Sequence, residues 1–210
     1  MASGLMALDT RQSALSFALS LVDDFTGKAG LLGQTTVTAA EADQAGRLNP
    51  SGYYVFMGLT GSNFTVQIRN TCYLDHDLSV DISALDPRLP LATTVVHPRY
   101  LYPFPAGSTL IMGRVTDSLQ QPLAGVDATV QGSTVTNQSD PGGRFVLYFT
   151  GLSEDDVQIQ DSRRLILVND STTLQLEVQR SGYQSSTVTI GPVEEGSTKL
   201  VRDPIVMVSS

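Results

Sequence analysis

The stretch Val66-Gln-Ile-Arg-Asn-Thr-Cys-Tyr73 is written a second time as Leu176-Glu-Val-Gln-Arg-Ser-Gly-Tyr183. Each copy is an alternating run, a turn closed by Tyr, and a second alternating run, reaching Asp81-Ile82 in the first copy and Thr189-Ile190 in the second. Period-two alternation on both sides of a turn describes a hairpin of half-buried strands. The features before it recur as well. Leu21-Val22-Asp23-Asp24 followed by Gly52-Tyr-Tyr-Val-Phe-Met-Gly-Leu59 matches Arg114-Val115-Thr116-Asp117 followed by Gly143-Arg-Phe-Val-Leu-Tyr-Phe-Thr-Gly-Leu152. A repeat this long is a duplicated domain, because each copy carries enough strands to bury a face of its own. The expected architecture is all-β, two tandem β-sandwich modules over residues 13–85 and 109–210, joined by a Pro-rich connector over 86–108.

Composition agrees. In 210 residues, charged side chains make up 16% and hydrophobic ones 41%, with 18 Gly and 10 Pro. That is the profile of many short strands and turns, not of helices laced by ion pairs. The formal charge of −8, from 21 acids against 13 bases, repels phosphate, so nucleic acid and anionic membrane are excluded as expected partners.

The run Ser13-Ala-Leu-Ser-Phe-Ala-Leu-Ser-Leu-Val22 after Arg11 alternates, with Leu15, Phe17, Leu19 and Leu21 on one side. A secretory core would be continuously apolar and would not lead into Asp23-Asp24, so the run reads as the first strand and not as a signal peptide. No stretch approaches the roughly 18 to 20 apolar residues of a membrane helix. The expectation is synthesis in the cytoplasm without membrane insertion, which leaves the final location open, a particle among the options.

Between the modules, Asp86-Pro-Arg-Leu-Pro90 and His97-Pro-Arg-Tyr-Leu-Tyr-Pro-Phe-Pro-Ala-Gly107 hold five prolines, which fix φ and remove donors, so the segment is expected to be extended. Tyr100, Tyr102 and Phe104 recur every second residue there. They are read either as packing into the groove between modules and setting its angle, or as an exposed strip for partner binding.

Module two carries a family resemblance. Gly113-Arg-Val-Thr-Asp117, then Gln121-Pro-Leu-Ala-Gly-Val-Asp-Ala-Thr-Val130, then Thr136 to Gly143-Arg-Phe145, resembles the carboxypeptidase regulatory-like domain, itself similar to transthyretin and to Cna-B repeats. The resemblance implies a sandwich of seven or eight strands that accompanies enzymes without performing catalysis. It covers about residues 109–192 and is fainter over 15–83. Module two departs from the pattern by an insertion, residues 153–173. It contains Val157-Gln-Ile159 and Leu165-Ile-Leu-Val168 and reads as an added hairpin whose deletion spares the fold and weakens association.

Chemistry is sparse. The lone Cys72 has no His close in sequence to activate it. Asp75-His76-Asp77 alternates on a strand, so only the two acids could share an ion. There is no His-x-x-Glu pair, no Gly-x-Ser-x-Gly elbow and no Gly-rich phosphate loop. Some Cna-B members form a Lys–Asn or Lys–Asp isopeptide bond. Here only Lys28 and Lys199 are available, with Asn137 and Asn169 as conceivable acceptors, and the motif positions do not match. The sequons at Asn63, Asn137 and Asn169 matter only in a eukaryotic secretory setting.

The expected function is a non-enzymatic structural or adaptor subunit that docks onto other protein subunits, a second copy of itself included, in a larger assembly such as a phage-tail-like or cell-surface particle. No catalytic residue, cofactor or metal is expected. The alternative is a carbohydrate- or ligand-binding accessory module with Tyr100, Tyr102 and Phe104 as its platform.

Overall fold

A computed structural model describes residues 14–210. Arg11, and Ser13 with which the alternating run opens, lie outside the described residues. The first eight strands are β1 (Leu15–Asp23), β2 (Thr35–Ala39), β3 (Gln44–Ala45), β4 (Arg47–Leu48), β5 (Tyr54–Met57), β6 (Asn63–Asn70), β7 (His76–Asp81) and β8 (Leu91–Val96). They form two sheets, ordered β4-β5-β1-β8 and β3-β2-β6-β7. Ten more follow: β9 (Thr109–Asp117), β10 (Asp127–Val130), β11 (Thr136–Gln138), β12 (Arg144–Phe149), β13 (Val157–Gln160), β14 (Arg163–Ile166), β15 (Leu174–Gln179), β16 (Ser186–Ile190), β17 (Thr198–Leu200) and β18 (Ile205–Met207). Their sheets run β12-β9-β17 with β18 also on β9, β11-β10-β15-β16, and a separate β13-β14 hairpin. The chain is all-β, built as tandem sandwiches of the immunoglobulin-like kind.

The duplication holds at the level of the ladder. Val66 pairs with Leu78 across β6–β7, and the residues that repeat them, Leu176 and Val188, pair across β15–β16. β2 lies between β3 and β6 as β10 lies between β11 and β15. In both modules the first strand pairs antiparallel with the strand after the Gly turn and parallel with the last strand. Phe64, Val66 and Ile68 enter one core while Leu174, Leu176 and Val178 enter the other. The alternation read in the sequence is thus the alternation of burial.

Two details differ from the sequence reading. The bridges Val22↔Ala29 and Thr116↔Pro122 make Leu21 the counterpart of buried Val115, one residue away from the match by sequence, which set Leu21 beside Arg114. A slip of one residue exchanges the two faces of a strand, so only the ladder could choose the register. The connector is also shorter than expected. Residues 91–96 form β8, which joins module one by parallel pairing with β1. Past β8, the Leu74 N–H donates to the His97 carbonyl and the Arg99 N–H to that of Cys72. The Gln184 N–H to the Val208 carbonyl, and the Ser210 N–H to that of Gly182, repeat this arrangement in module two. The prolines at 87 and 90 precede β8 and those from 98 follow it, which leaves Leu-Ala-Thr-Thr-Val-Val free to join a ladder.

Candidate functional site

The seam between the modules is the most elaborated feature of the molecule. It begins at Asp23 and Asp24, where β1 turns. Asp23 is buried. Its Oδ1 accepts from the Phe25 N–H at 2.9 Å and its Oδ2 from the Tyr102 hydroxyl at 2.7 Å. Adjacent side chains diverge, so Asp24 faces the other way, and its Oδ2 accepts from the Tyr148 hydroxyl of β12 and from His97 Nδ1 at 3.1 Å. The bond from Tyr148 joins the two modules through one carboxylate. A further pair of bonds lies nearby: Asn137 Nδ2 donates to the Pro98 carbonyl at 2.8 Å and to the Val146 carbonyl at 2.9 Å.

Aromatic rings fill the space between these polar links. Phe25 meets Tyr102, Phe104 and Tyr148 edge-on at centroid distances of 5.8, 5.1 and 5.7 Å. Tyr102 also packs against Tyr73 at 5.4 Å, the tyrosine that closes the first repeat. Leu110, Val146 and Tyr148, on the outer face of the β9–β12 sheet, are buried against Phe25 and Phe104. β12 is therefore covered on both faces: Phe145, Leu147 and Phe149 point into the sandwich core, Val146 and Tyr148 into the seam. Burial raises the hydroxyl pKa of Tyr102 and of Tyr148, and the neighbouring carboxylates add to it. For Tyr73 burial lifts the value to about 12.

The three residues read as a partner strip are differently placed. Tyr102 is 5% exposed and belongs to the core of module one. Phe104 is half-buried in the seam, and Tyr100 is half-buried with the Arg144 guanidinium over its ring at 5.2 Å. Arg144 is itself fixed by Asp140, which accepts from its Nε and Nη2 at 3.2 and 3.0 Å while capping the Asp140-Pro-Gly-Gly143 turn. Tyr102 and Phe104 pack against Phe25, and Phe104 also against Tyr148. Sequence reading missed Phe25, Asp24, Val146 and Tyr148 as their partners. The signal was present in Phe145-Val-Leu-Tyr-Phe149, whose apolar residues on both faces call for cover on both sides.

Two clefts flank the seam. One of about 490 Å³ lies between Asp24, Ser133, Thr136, Tyr148 and the Ile166–Asn169 segment. The other, about 300 Å³, brings the neighbours Asp75 and His76 together with His97 and Asp127, which the sequence left far from them. Burial first, and the proximity of His97 second, lower the His76 pKa, and its Nε2 lies 3.0 Å from Thr94 Oγ1. Asp75 and Asp77 face Arg69, at 3.7 and 2.5 Å, so a fixed cation occupies the place between them. Among the described residues no three His, Cys, Asp or Glu side chains gather as metal ligands. Lys199 lines a groove with Ser186, Ile190 and Arg202, whereas Asn137 is held in the seam.

The insertion is half core and half surface. Ile166 is 1% exposed inside the sandwich core, and Val157 and Val168 pack against it. The Ile166 N–H donates to the Val193 carbonyl and the Glu195 N–H to that of Arg164, so β14 is tied to the loop before β17. Arg164 bonds Glu195 and Glu154, and these bonds raise its pKa. β13 faces outward: Ile159 is 70% exposed, and Gln158 and Gln160 are exposed beside it.

No family model matches the chain, and no curated protein matches it. Among solved structures, a type II cohesin–X-dockerin complex from Acetivibrio cellulolyticus aligns at 15% identity and a TM-score of 0.31, over 47% of this chain and 56% of that one. The Bacillus anthracis TIE protein aligns at 10% and 0.33, over 93% and 34%. The shaft pilin SpaA from Lactobacillus rhamnosus GG aligns at 11% and 0.28, over 95% and 98%. The chain thus spans little more than half of the first of these and about a third of the second. At such scores they carry no argument about activity or partners, and the assignment of β-sandwich modules rests on the ladders themselves.

Proposed function

We propose that the chain is a non-enzymatic structural or adaptor subunit. In this reading two related sandwiches, the second of the carboxypeptidase regulatory-like kind, are braced into one elongated body that docks onto other protein subunits of a larger assembly. The observation that carries this reading is the seam. Asp24, Tyr148, Phe25 and Phe104 hold module to module, and a fixed separation between two sets of sheet edges is what a spacer or adaptor must provide. Tyr102 and Phe104 are engaged in that bracing, which leaves Tyr100 alone of the three to serve a carbohydrate platform.

The test is to tag the full chain in its native cells and to follow it through gradient sedimentation. Stoichiometric co-sedimentation with a high-mass assembly is expected. A chain that stays free of any assembly, and that binds a glycan array in a manner abolished by Tyr100→Ala, would overturn the reading in favour of the carbohydrate module.

A further inference from the structure

The seam sets one end of a module against one face of the next. The end is the turn after β1, where Asp23 holds the Phe25 N–H. The face is the outer side of the β9–β12 sheet, where Leu110, Met112, Val146 and Tyr148 pack with Phe25 and Phe104. The duplication builds both parts a second time. Asp117 holds the Leu119 N–H as Asp23 holds that of Phe25, and Leu119 is 77% exposed, more than any other large apolar side chain among the described residues. Val208, whose carbonyl accepts from Gln184 as that of His97 accepts from Leu74, is exposed as well. On the face, Leu21 is the counterpart of Val115, so Ala18 takes the place of Met112, and its partner Val55 that of Val146. Further along the ladder Leu15 lies opposite Met57 where Leu110 lies opposite Tyr148, and both are exposed. A count along the strand alone would set Ser16 there; the irregular register between Leu15 and Phe17 brings the leucine to that pair instead. All four residues of the module-two face join a hydrophobic cluster, whereas Leu15, Ala18, Val55 and Met57 join none among the described residues.

We propose that the Leu119 turn of one copy seats on Leu15, Ala18, Val55 and Met57 of a second copy of this chain, repeating between chains the contact that Phe25 makes within one. This rests on the reading of the chain as an assembly subunit and names one of its partners. The occupant is chosen by the seam, in which such a face is covered by the first-strand turn of a related module. The polar bond of the seam is replaced in both parts together, since Ser118 stands in place of Asp24 and Met57 in place of Tyr148. A carboxylate seated on Met57, or a tyrosine hydroxyl seated on Leu119, would be buried without a partner, and the paired change avoids both. Val208 in place of His97, which in the seam bonds Asp24, follows the same change toward an apolar end. End and face are different surfaces and each copy keeps one of each unfilled. The contact is therefore heterologous and continues from copy to copy in a row, and does not close as a pair. One turn on one sheet face is a small contact, so the rows grow with concentration.

Two measurements on the full chain test this. In a Cys72→Ser background, Leu119→Cys mixed with Met57→Cys is expected to cross-link through a short bis-maleimide at least tenfold faster than either variant alone, because the contact joins unlike surfaces. Ile159→Cys, at an exposed site on the inserted hairpin, serves as the control partner for Leu119→Cys and should not link. Sedimentation velocity over a concentration series should show reversible species that grow past the dimer, with a dissociation constant that rises at least tenfold in Leu119→Asp at an unchanged thermal midpoint. A chain monomeric up to about 1 mM, growth that stops at a dimer, or cross-linking of the mixture no faster than with the control would each overturn the contact. Association indifferent to Leu119→Asp but lost in Met57→Lys would put another occupant on the face and overturn it as well. If a chain that fails these tests still co-sediments with a high-mass assembly, only the head-to-tail contact falls; if it does not, the adaptor reading falls with it.

Discussion

Asp23 shows how much one carboxylate can organise. It is 2% exposed, and its two oxygens are divided between the turn after β1 and the Tyr102 hydroxyl from a segment far along the chain. Asp117, its counterpart in module two, spends one oxygen on the equivalent turn, accepting from the Leu119 N–H. The turn role was legible in the sequence as Asx chemistry. The tyrosine was not, because nothing local links residues so distant in the chain. Tyr102→Phe leaves a buried carboxylate oxygen without its donor and should cost about 1–3 kcal/mol, read by urea denaturation. Alkaline titration offers a second check. Tyr73 holds its proton more tightly folded than unfolded, with its value pushed up to about 12, and those of Tyr102 and Tyr148 are raised as well. Stability is therefore full below the ordinary tyrosine value near 10 and declines as pH rises through that window toward 12. Absorbance of phenolate should show these three rings ionising only as the chain unfolds.

At the scale of the element, the insertion was expected to be dispensable surface. The structure corrects this: Ile166 belongs to the core of module two, Leu165 beside it is buried, and β14 bonds to the loop before β17. Deleting residues 153–173 should therefore cost soluble protein. Within the hairpin, Ile166→Ala is expected to destabilise by about 2–5 kcal/mol, whereas Ile159→Ala should stay within about 0.5 kcal/mol, both measured by chemical denaturation. The two isoleucines look alike in the sequence. Both lie on one face of the hairpin, since Ile166 pairs with Val157, two residues from Ile159, so which one is buried depends on how far along the hairpin the sandwich core reaches.

At the scale of the molecule, the seam decides the shape. Tyr148→Phe together with Asn137→Ala removes one donor to Asp24 and the two amide bonds to the Pro98 and Val146 carbonyls. Both modules should stay folded, because each keeps its own core, while small-angle scattering should report a larger maximum dimension and a looser inter-module angle. Such motion is the default for tandem domains whose interface is small. By itself the sequence determined the class, the duplication and the hairpin register, because alternation with period two and the repeated Tyr turn are local and survive without a partner surface. The one-residue match of the first strands, the membership of β8 in module one and the burial of Tyr102 and Phe104 were decided only in three dimensions. Each depends on which distant strand or ring arrives to satisfy a main-chain edge or an apolar face, and contacts of that separation leave no periodic trace in the chain.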